Sequence, residues 1–397
     1  MLTRNTIQTI ITKFFILLAN FGLVVFTTQV WGSEGRGEIT LVIANISIIT
    51  IFSNVFCGSA MAYHSPILQR EFLLFSSFVA AIIISLCGAV VFSIFFGFGG
   101  FTPLFLISLL ISLTTAISSY WLGKNNIRNY NQITLIIPVL ILVSLAVLYF
   151  IFKRTSLNTV YLSYYSGTGT ALIIGIAGLA ARESFKVPEI RPGGIKSIAR
   201  YGINNEFNYL LQFINYRLSY YFIAKMLGMS DLGIFSVVVA VSEAVWIISR
   251  SMSAVHFSNV INAEDPIKSR DETISFAIQS LIISLILLVI AVLIPGSVYQ
   301  LIFGNEFASI GKFILYLIPG ITAIAVSNLF GHYFAGTGKL FILRNKSLLG
   351  LTATLILLPV LIRKYQLTGA CISLNISYIL SSIYLWIYFR KTGKSEK

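Results

Sequence analysis

Two opposite charges stand inside apolar segments in the middle of the chain. Arg217 lies in the segment 203–227 and Glu243 in the segment 231–254. A charge at such depth costs roughly 2.5–3.5 kcal/mol on membrane-insertion scales, so it needs a partner or a function. Both lie roughly 16–18 Å along their helices from the turn that joins the segments. We expect Arg217 and Glu243 to meet, or to share one water-filled cavity, at mid-membrane depth. The alternative is a buried pair that only fixes packing.

The segment 203–227 also carries polar side chains at three- and four-residue spacing, which places them on one helix face. These residues are Asn205, Asn208, Gln212, Asn215 and Ser219. Glu206 and Arg217 share a different face. Because the helix is polar on two faces, it must line a cavity on one side and contact a neighbouring helix on the other. We interpret Asn208, Gln212 and Asn215 as substrate-cavity residues; hydrogen bonding between helices is the alternative.

Further candidates follow along the chain. Arg250 lies seven residues after Glu243, on the same helix face. Lys312 stands in a later apolar segment, where it would add positive charge to a cavity or extend to the outer headgroups. Pro319 and Gly320 interrupt that segment, and proline kinks a membrane helix and frees a backbone carbonyl. They form a candidate hinge, with a static kink as the alternative.

The composition shows what must position these residues. The chain has 397 residues, of which 56% are hydrophobic and 11% are charged, whereas soluble domains carry about 25% charged residues. The apolar runs are too long and too continuous for the alternating strands of a barrel, and each is near the roughly 20 residues that span a bilayer. The sequence therefore predicts an all-α polytopic membrane protein with about twelve transmembrane helices. The predicted spans are 8–30, 39–62, 72–96, 103–122, 132–152, 158–180, 203–227, 231–254, 275–296, 308–331, 341–362 and 368–388.

The loops between these runs predict orientation and domain limits. Most Lys and Arg residues fall in one set of loops together with both termini, which places the termini in the cytoplasm. A stretch rich in proline and glycine, 182–202, divides the runs into six and six. We predict an N-terminal lobe at 1–181, a cytoplasmic linker at 182–202, a C-terminal lobe at 203–389 and a cytoplasmic tail at 390–397.

Short similarities between the two halves indicate an internal repeat. The turn Gly32–Gly37 corresponds to Gly228–Gly233, and Tyr120–Gly123 corresponds to Tyr333–Gly336, in the same order in each half. An even number of spans per half gives both copies the same orientation. This is typical of a parallel repeat about an axis along the membrane normal.

The sequence carries no signature of an enzyme, a metal site or a nucleic-acid interface. The glycines around Gly336 and Gly338 do not fit a phosphate-binding loop, and the chain has no H-E-x-x-H motif. The three histidines are far apart in sequence. The basic residues are scattered through short loops, which argues against nucleic acid as a partner. We therefore expect no catalytic residue, no cofactor and no metal.

Several stretches resemble the polysaccharide flippases of the Wzx type, which belong to the multidrug/oligosaccharidyl-lipid/polysaccharide (MOP) exporter superfamily. The resemblance covers nearly the whole chain and is best between 200 and 340, although each motif is degenerate. The stretches are Gly32–Glu38, Leu211–Leu218, Leu232–Val237, Phe303–Phe307, Leu317–Ile321 and Ala335–Lys339. One departure is Ser219, where members of the family often carry an acidic residue.

The resemblance implies two six-helix lobes in a V around a cationic cavity. It also implies that the chain moves undecaprenyl-diphosphate-linked oligosaccharide repeat units across the bacterial cytoplasmic membrane for surface polysaccharide (O-antigen, capsule or exopolysaccharide). Alternating access would be coupled to a gradient of H⁺ or Na⁺. The partners would be the lipid-linked substrate, the bilayer and other polysaccharide assembly proteins. Arginine suits a diphosphate because its planar fork binds two oxygens at once.

Three alternatives remain at this stage. A cation-coupled multidrug exporter of the same superfamily would need acidic residues inside the spans of the first half, where this chain has only Glu38, at the end of a span. A flippase of peptidoglycan precursors would have extra spans. A membrane-embedded glycan polymerase or ligase would build its site on an outward loop, and the outward loops here are short.

Overall fold

The computed structural model describes residues 4–95, 97, 99–181, 192–261 and 266–394. Every regular element in these ranges is a helix. The elements are α1 (Arg4–Cys57), α2 (Ser59–His64), α3 (Arg70–Phe95), α4 (Phe101–Gly123), α5 (Ile127–Phe150), α6 (Asn158–Ala180), α7 (Pro192–Met226), α8 (Met229–Ala244), α9 (Trp246–Ile261), α10 (Pro266–Leu293), α11 (Gly296–Phe303), the 3₁₀ helix η1 (Asn305–Phe307), α12 (Ile310–Gly336) and α13 (Leu340–Lys394).

The two longest helices are each interrupted once. Gly32 breaks α1 with φ 63° and ψ −163°, and Gln366 breaks α13 with φ 51° and ψ −132°. Each of these helices therefore contributes two predicted spans, whereas α8 and α9 together contribute one. Counted in this way, the helices confirm the all-α architecture of twelve spans.

The helices of the described ranges differ in length and apolar composition. Seven helices are long and apolar enough to cross a membrane, or eight when the bent pair α8–α9 counts as one span. Two of the seven are the interrupted stretches Ile11–His64 and Leu340–Thr392. The helices α6 and α7 fall outside this set, so they are the most polar of the predicted spans.

The helices give the local structure at three of the predicted boundaries. The predicted linker at 182–202 is helical from 192 onward, because Pro192 opens α7, and proline is well suited to the first turn of a helix; residues 182–191 lie outside the described part. The predicted tail at 390–397 is helical through Lys394, and Arg270 docks this end by donating to the carbonyl of Phe389 at 2.6 Å. The predicted span 231–254 bends by 41° between α8 and α9.

The chain forms two compact units. Unit 1 contains Met1–Trp31 and Glu38–Leu210, and unit 2 contains Gly32–Gly37 and Leu211–Lys397. The predicted lobe limits themselves stay predictions. Unit 1 has a buried core that includes Phe72, Ile117 and Trp121, and unit 2 has one that includes Phe330, Tyr333 and Phe389.

The break at Gly32 is capped by a side chain from far along the chain. The backbone N–H of Ser33, the first residue after the break, donates to Oε2 of Glu306 at 2.6 Å. The first N–H groups of a helix have no partner within it, and a carboxylate there is also favoured by the helix dipole. The hydrogen bonds from Ser33 hold the pKa of Glu306 below its ordinary value of 4.5.

The turn 32–37 packs closely on the first residues of α8. A Cβ on Gly37 would overlap the carbonyl oxygen of Met229, and a Cβ on Gly233 would overlap the carbonyl oxygen of Ser33. Only glycine allows such close approach of two backbones. The two contacts are reciprocal: each turn presents its final glycine to a carbonyl near the start of the other. This arrangement matches the repeat that the sequence predicts for these turns.

A side-chain amide occupies the site where Pro319 disturbs α12. The N–H of Gly320 donates to Oδ1 of Asn375 at 2.8 Å, and Nδ2 of Asn375 donates to the carbonyl of Tyr316. An undisturbed helix would join these two backbone groups to each other. Asn375, from the second half of α13, thus replaces one backbone hydrogen bond with two bonds between helices. A Cβ on Gly320 would overlap the amide and lie 2.9 Å from the Cα of Asn375.

We expect Glu306→Gln to destabilise the protein by about 0.5–1 kcal/mol at neutral pH, because the helix restart at Ser33 loses its charged cap. A carboxylate with a lowered pKa stabilises the folded state above its unfolded pKa, and this contribution is lost as the pH falls through the folded pKa. The difference from the wild type should therefore be constant from pH 8 to about pH 5.5 and shrink in stronger acid. Thermal unfolding of the purified protein across pH measures this. Asp271→Asn, at an exposed carboxylate in α10, is the control, and an equal pH dependence in both variants would contradict the assignment.

We expect Asn375→Ala and Gly320→Ala each to lower stability by about 1–3 kcal/mol, through unpaired backbone groups in the first case and overlap in the second. The double variant should be less destabilised than the sum of the two, because the new methyl group of residue 320 then occupies space that the amide has left. Unfolding midpoints of the four proteins measure the coupling. Simple additivity would show that Asn375 does not occupy this site.

Candidate functional site

Arg217 and Glu243 meet as the sequence analysis expects. Nη1 of Arg217 donates to Oε1 of Glu243 at 2.8 Å, and Nη2 donates to Oε2 at 2.7 Å. The side chains are 24% and 14% exposed. The pair is therefore bidentate and mostly shielded, which is the strongest geometry available to these two groups. It joins α7 to the last turn of α8 inside unit 2.

Aromatic rings surround this ion pair. The guanidinium of Arg217 lies 5.2 Å from the ring centre of Tyr220, a distance that supports a cation–π contact. Tyr216, the residue directly before Arg217, packs against Trp246 and Tyr378, each with 5.4 Å between ring centres. The rings of Trp246 and Tyr378 are 6.1 Å apart. The low polarity of these rings strengthens the attraction between the charges, and packing fixes their geometry.

Trp246 lies where α8 bends into α9. It is 1% exposed, and its Nε1 donates to the carbonyl of Ile321 at 2.9 Å. This anchor to α12 fixes the first residue of α9, and it is the physical reason that the span does not continue straight. The bend lies between Glu243 and Arg250, which the sequence placed on one straight helix face. Arg250 is exposed, with its guanidinium 5.5 Å from the ring centre of Trp246.

Asn215 is buried and ties three helix segments together. Its Oδ1 accepts from the hydroxyls of Thr354 and Ser377, both at 3.1 Å, in the two halves of α13. The residue is 3% exposed. Hydrogen bonding between helices, which the sequence left open as the alternative for the polar stripe, describes Asn215. A substrate role for it stays a prediction.

The other amides of the stripe lie in two different units. Asn208 belongs to unit 1, and its Oδ1 is buried without a hydrogen-bond partner in the described structure. Gln212 belongs to unit 2, and its Nε2 donates to the hydroxyl of Tyr216 at 3.0 Å. Gln212 therefore orients a tyrosine of the aromatic group around the ion pair. The stripe is thus divided between the two units, whose boundary falls at 210.

The candidates on α12 lie at separate levels of that helix. Lys312 is in the first turn and is exposed, with Nζ 5.9 Å from the ring centre of Phe313, which is compatible with extension to the headgroups. Pro319 and Gly320 lie inside a continuous helix, at the amide of Asn375. Asn375 thus pairs with the backbone on both sides of Pro319, and the hinge stays a prediction.

The structure adds one candidate cation, Lys346, that the sequence did not single out. Lys346 lies within the predicted span 341–362, where the sequence counts it with the basic residues of the cytoplasmic side, and its side chain in α13 is only 7% exposed. Within the described residues its ammonium makes no hydrogen bond or ion pair. A buried cation without a counter-charge is costly, and in a membrane protein it marks a functional candidate. The sequence offered no signal of this burial, because Lys346 lies close to the basic residues Lys339 and Arg344 near the cytoplasmic end of the predicted span.

Taken together, unit 2 has an excess of positive charge. The acidic group of Glu243 is fully engaged by Arg217, which leaves Arg250 and Lys346 without an acidic partner in the described structure. Each of these cations can bind an anion through charge-assisted hydrogen bonds. No group of three or more His, Cys, Asp or Glu side chains that could hold a metal ion is found in the described ranges.

Comparison with known proteins identifies the fold. The chain superimposes on an inward-facing multidrug resistance MATE family transporter of the MOP superfamily with a TM-score of 0.77, at 12% identity, over 96% of this chain and 95% of that one. The lipid II flippase MurJ gives 0.75 at 12% identity, over 97% and 87%. The MATE multidrug transporter DinF-BH gives 0.71 at 15% identity, over 97% and 94%.

Sequence comparison adds no closer relative. No protein-family model matches the chain, and no curated protein matches it. At such low identities the superpositions establish the fold alone. These structural neighbours are transporters and flippases rather than enzymes. The protein is a multi-pass membrane protein with the fold of the MOP superfamily transporters.

Proposed function

We propose that the protein flips undecaprenyl-diphosphate-linked oligosaccharide repeat units from the inner to the outer leaflet of the bacterial cytoplasmic membrane, for the export of a surface polysaccharide. It works by alternating access, coupled to an ion gradient, with both termini in the cytoplasm. The proposed substrate class rests on the resemblance of the sequence to Wzx-type flippases, and the fold is compatible with it. One solved structure of this fold is a flippase of lipid II, and others are multidrug transporters.

The observation that carries this proposal is the charge balance of unit 2. The carboxylate of Glu243 is neutralised by Arg217, with N···O distances of 2.7 and 2.8 Å. Arg250 and Lys346 then present positive charge that no acidic side chain in the described structure balances. A diphosphate is the complementary ligand, because its oxygens accept several charge-assisted hydrogen bonds at once. An exporter of cationic drugs would instead need free carboxylates in place of these two cations.

The direct test follows the lipid-linked repeat units in a deletion strain. We expect them to accumulate at the cytoplasmic face and the surface polysaccharide to disappear, with rescue by the wild-type chain. Accessibility of the glycan to an added lectin or glycosidase, in right-side-out against inverted vesicles, reports the leaflet. Normal surface polysaccharide in the deletion strain would exclude the proposal, and loss of drug tolerance in its place would favour a multidrug exporter.

The unbalanced cations of unit 2 allow a sharper test. We expect Arg250→Gln and Lys346→Met each to reduce the initial rate of flipping about tenfold or more, since a charge-assisted hydrogen bond contributes about 1.5–3 kcal/mol. The rate is measured in vesicles with matched protein levels. Lys225→Gln is the control, because Lys225 is an exposed cation at the far end of α7. Equal rates for all three variants would show that these cations do not contact the substrate.

The ion pair requires a design that separates folding from function. Arg217→Ala leaves Glu243 buried and unpaired, so we expect it to destabilise the protein by about 3–5 kcal/mol. The double variant Arg217→Met with Glu243→Leu should recover most of this loss, since well-packed apolar residues replace buried ion pairs without penalty. Unfolding midpoints measure the recovery. We expect flipping to stay impaired in the double variant, whereas full transport would assign the pair to packing alone.

A further inference from the structure

A second acidic side chain lies in unit 1, and it has a different environment from Glu243. Glu206 of α7 is half-buried, and its Oε1 accepts a hydrogen bond from the hydroxyl of Ser59 at 3.4 Å. Among the described residues Glu206 has no ion-pair partner, whereas Glu71 pairs with Arg70 and Glu243 pairs with Arg217. A carboxylate placed among apolar helices without a counter-charge either binds a proton or attracts a cation.

The side chain faces a break between two helices. α1 ends at Cys57, Gly58 has the non-helical angles φ −92° and ψ −123°, and α2 begins at Ser59. A Cβ on Gly58 would lie 2.9 Å from the carbonyl oxygen of Asn54 and 3.3 Å from Oε1 of Glu206. The absence of a side chain at Gly58 therefore keeps the space beside the carboxylate open. Interrupted membrane helices are where transporters hold ions, because backbone and side-chain oxygens become available there.

The side chains around this break either offer an oxygen atom that can bind a cation or orient such an oxygen. Nδ2 of Asn205 donates to the hydroxyl oxygen of Ser59 at 3.4 Å, which leaves the Ser59 proton for Glu206. Asn54 lies beside the same space, because its Cβ would be 3.1 Å from a Cβ on Gly58. Its Oδ1 atom is buried and has no hydrogen-bond partner in the described structure. A buried acceptor without a donor is costly. It indicates a group that this structure does not contain.

We propose that Glu206, Ser59 and Asn54 form a binding site for a monovalent cation at the break between α1 and α2. One carboxylate and neutral oxygens match a single positive charge, either Na⁺ or a proton on Glu206, and are too few in charge for a divalent ion. That this cation is the coupling ion rests on the transport function proposed above. The existence of the site does not rest on it.

The test measures thermal unfolding of the purified full-length protein in detergent. In the first arm NaCl is titrated against choline chloride at constant ionic strength and pH 7.5, and in the second the pH is lowered from 8.5 to 5.5 in choline chloride. We expect a saturable rise of about 2 °C or more in the unfolding midpoint in the first arm if Na⁺ is the occupant, and in the second if it is a proton.

Three variants make the result specific. Glu206→Gln is nearly isosteric and should remove the response in both arms, with a midpoint in choline at pH 8.5 equal to or above that of the wild type. Glu206→Asp, which keeps the charge on a shorter side chain, should shift the response to higher cation concentration. Glu34→Gln removes an exposed carboxylate and should respond as the wild type does.

The possible results separate the site from its use in transport. A response that survives in Glu206→Gln, or a wild type that responds in neither arm, would overturn the site. If the response is specific to Glu206 while deletion strains export polysaccharide normally, the site stands and the transport proposal falls. If both hold, loss of gradient-driven flipping in Glu206→Gln vesicles identifies the cation as the coupling ion, and unchanged flipping excludes that role.

Discussion

Backbone polar groups cannot be left unpaired in the hydrocarbon of a membrane, and this constraint accounts for the most specific contacts of the structure. Three interruptions or bends of long helices each have a dedicated side chain. Glu306 accepts from the first N–H after Gly32. Asn375 pairs both backbone groups that Pro319 separates. Trp246 donates to a carbonyl of α12 where α8 meets α9. These partners make irregular backbone affordable in a protein built from membrane helices.

The same logic applies to charge. Arg217 and Glu243 satisfy each other in a shielded position, so together they add little net field to unit 2. Arg250 and Lys346 add charge that remains available, and Glu206 in unit 1 adds the opposite sign. The chain has few charged residues, only 11% of the total. Arg250, Lys346 and Glu206 have no ion-pair partner among the described residues, and they are the charged groups to which we assign ligands in the proposals above.

Much of the architecture could be predicted from the sequence, because long apolar runs and glycine turns are local signals. The contact between Arg217 and Glu243 was also predictable, because the two residues lie a similar number of residues before and after the turn that joins their helices. Partners that come from distant segments left no local trace: nothing around Asn375 or Glu306 indicates the helix break that each one satisfies. Lys346 was counted with the basic residues of the cytoplasmic side, because the sequence does not show which neighbouring helices bury a side chain near the start of a span. The helical start of α7 was missed because proline and glycine favour loops as well as first turns.

The turn at 32–37 has a consequence for how the protein is made. Its backbone cap, Glu306, lies 273 residues further along the chain, and the glycine contacts at Met229 and Gly233 also come from the second half. At about 5–20 residues per second, a ribosome needs roughly 14–55 s to synthesise that interval. During this time the first helical hairpin stands in the membrane with an uncapped restart at Ser33. The nascent first half is therefore an intermediate that depends on later synthesis for completion, and a chain cut short before Glu306 would remain a substrate for membrane quality control.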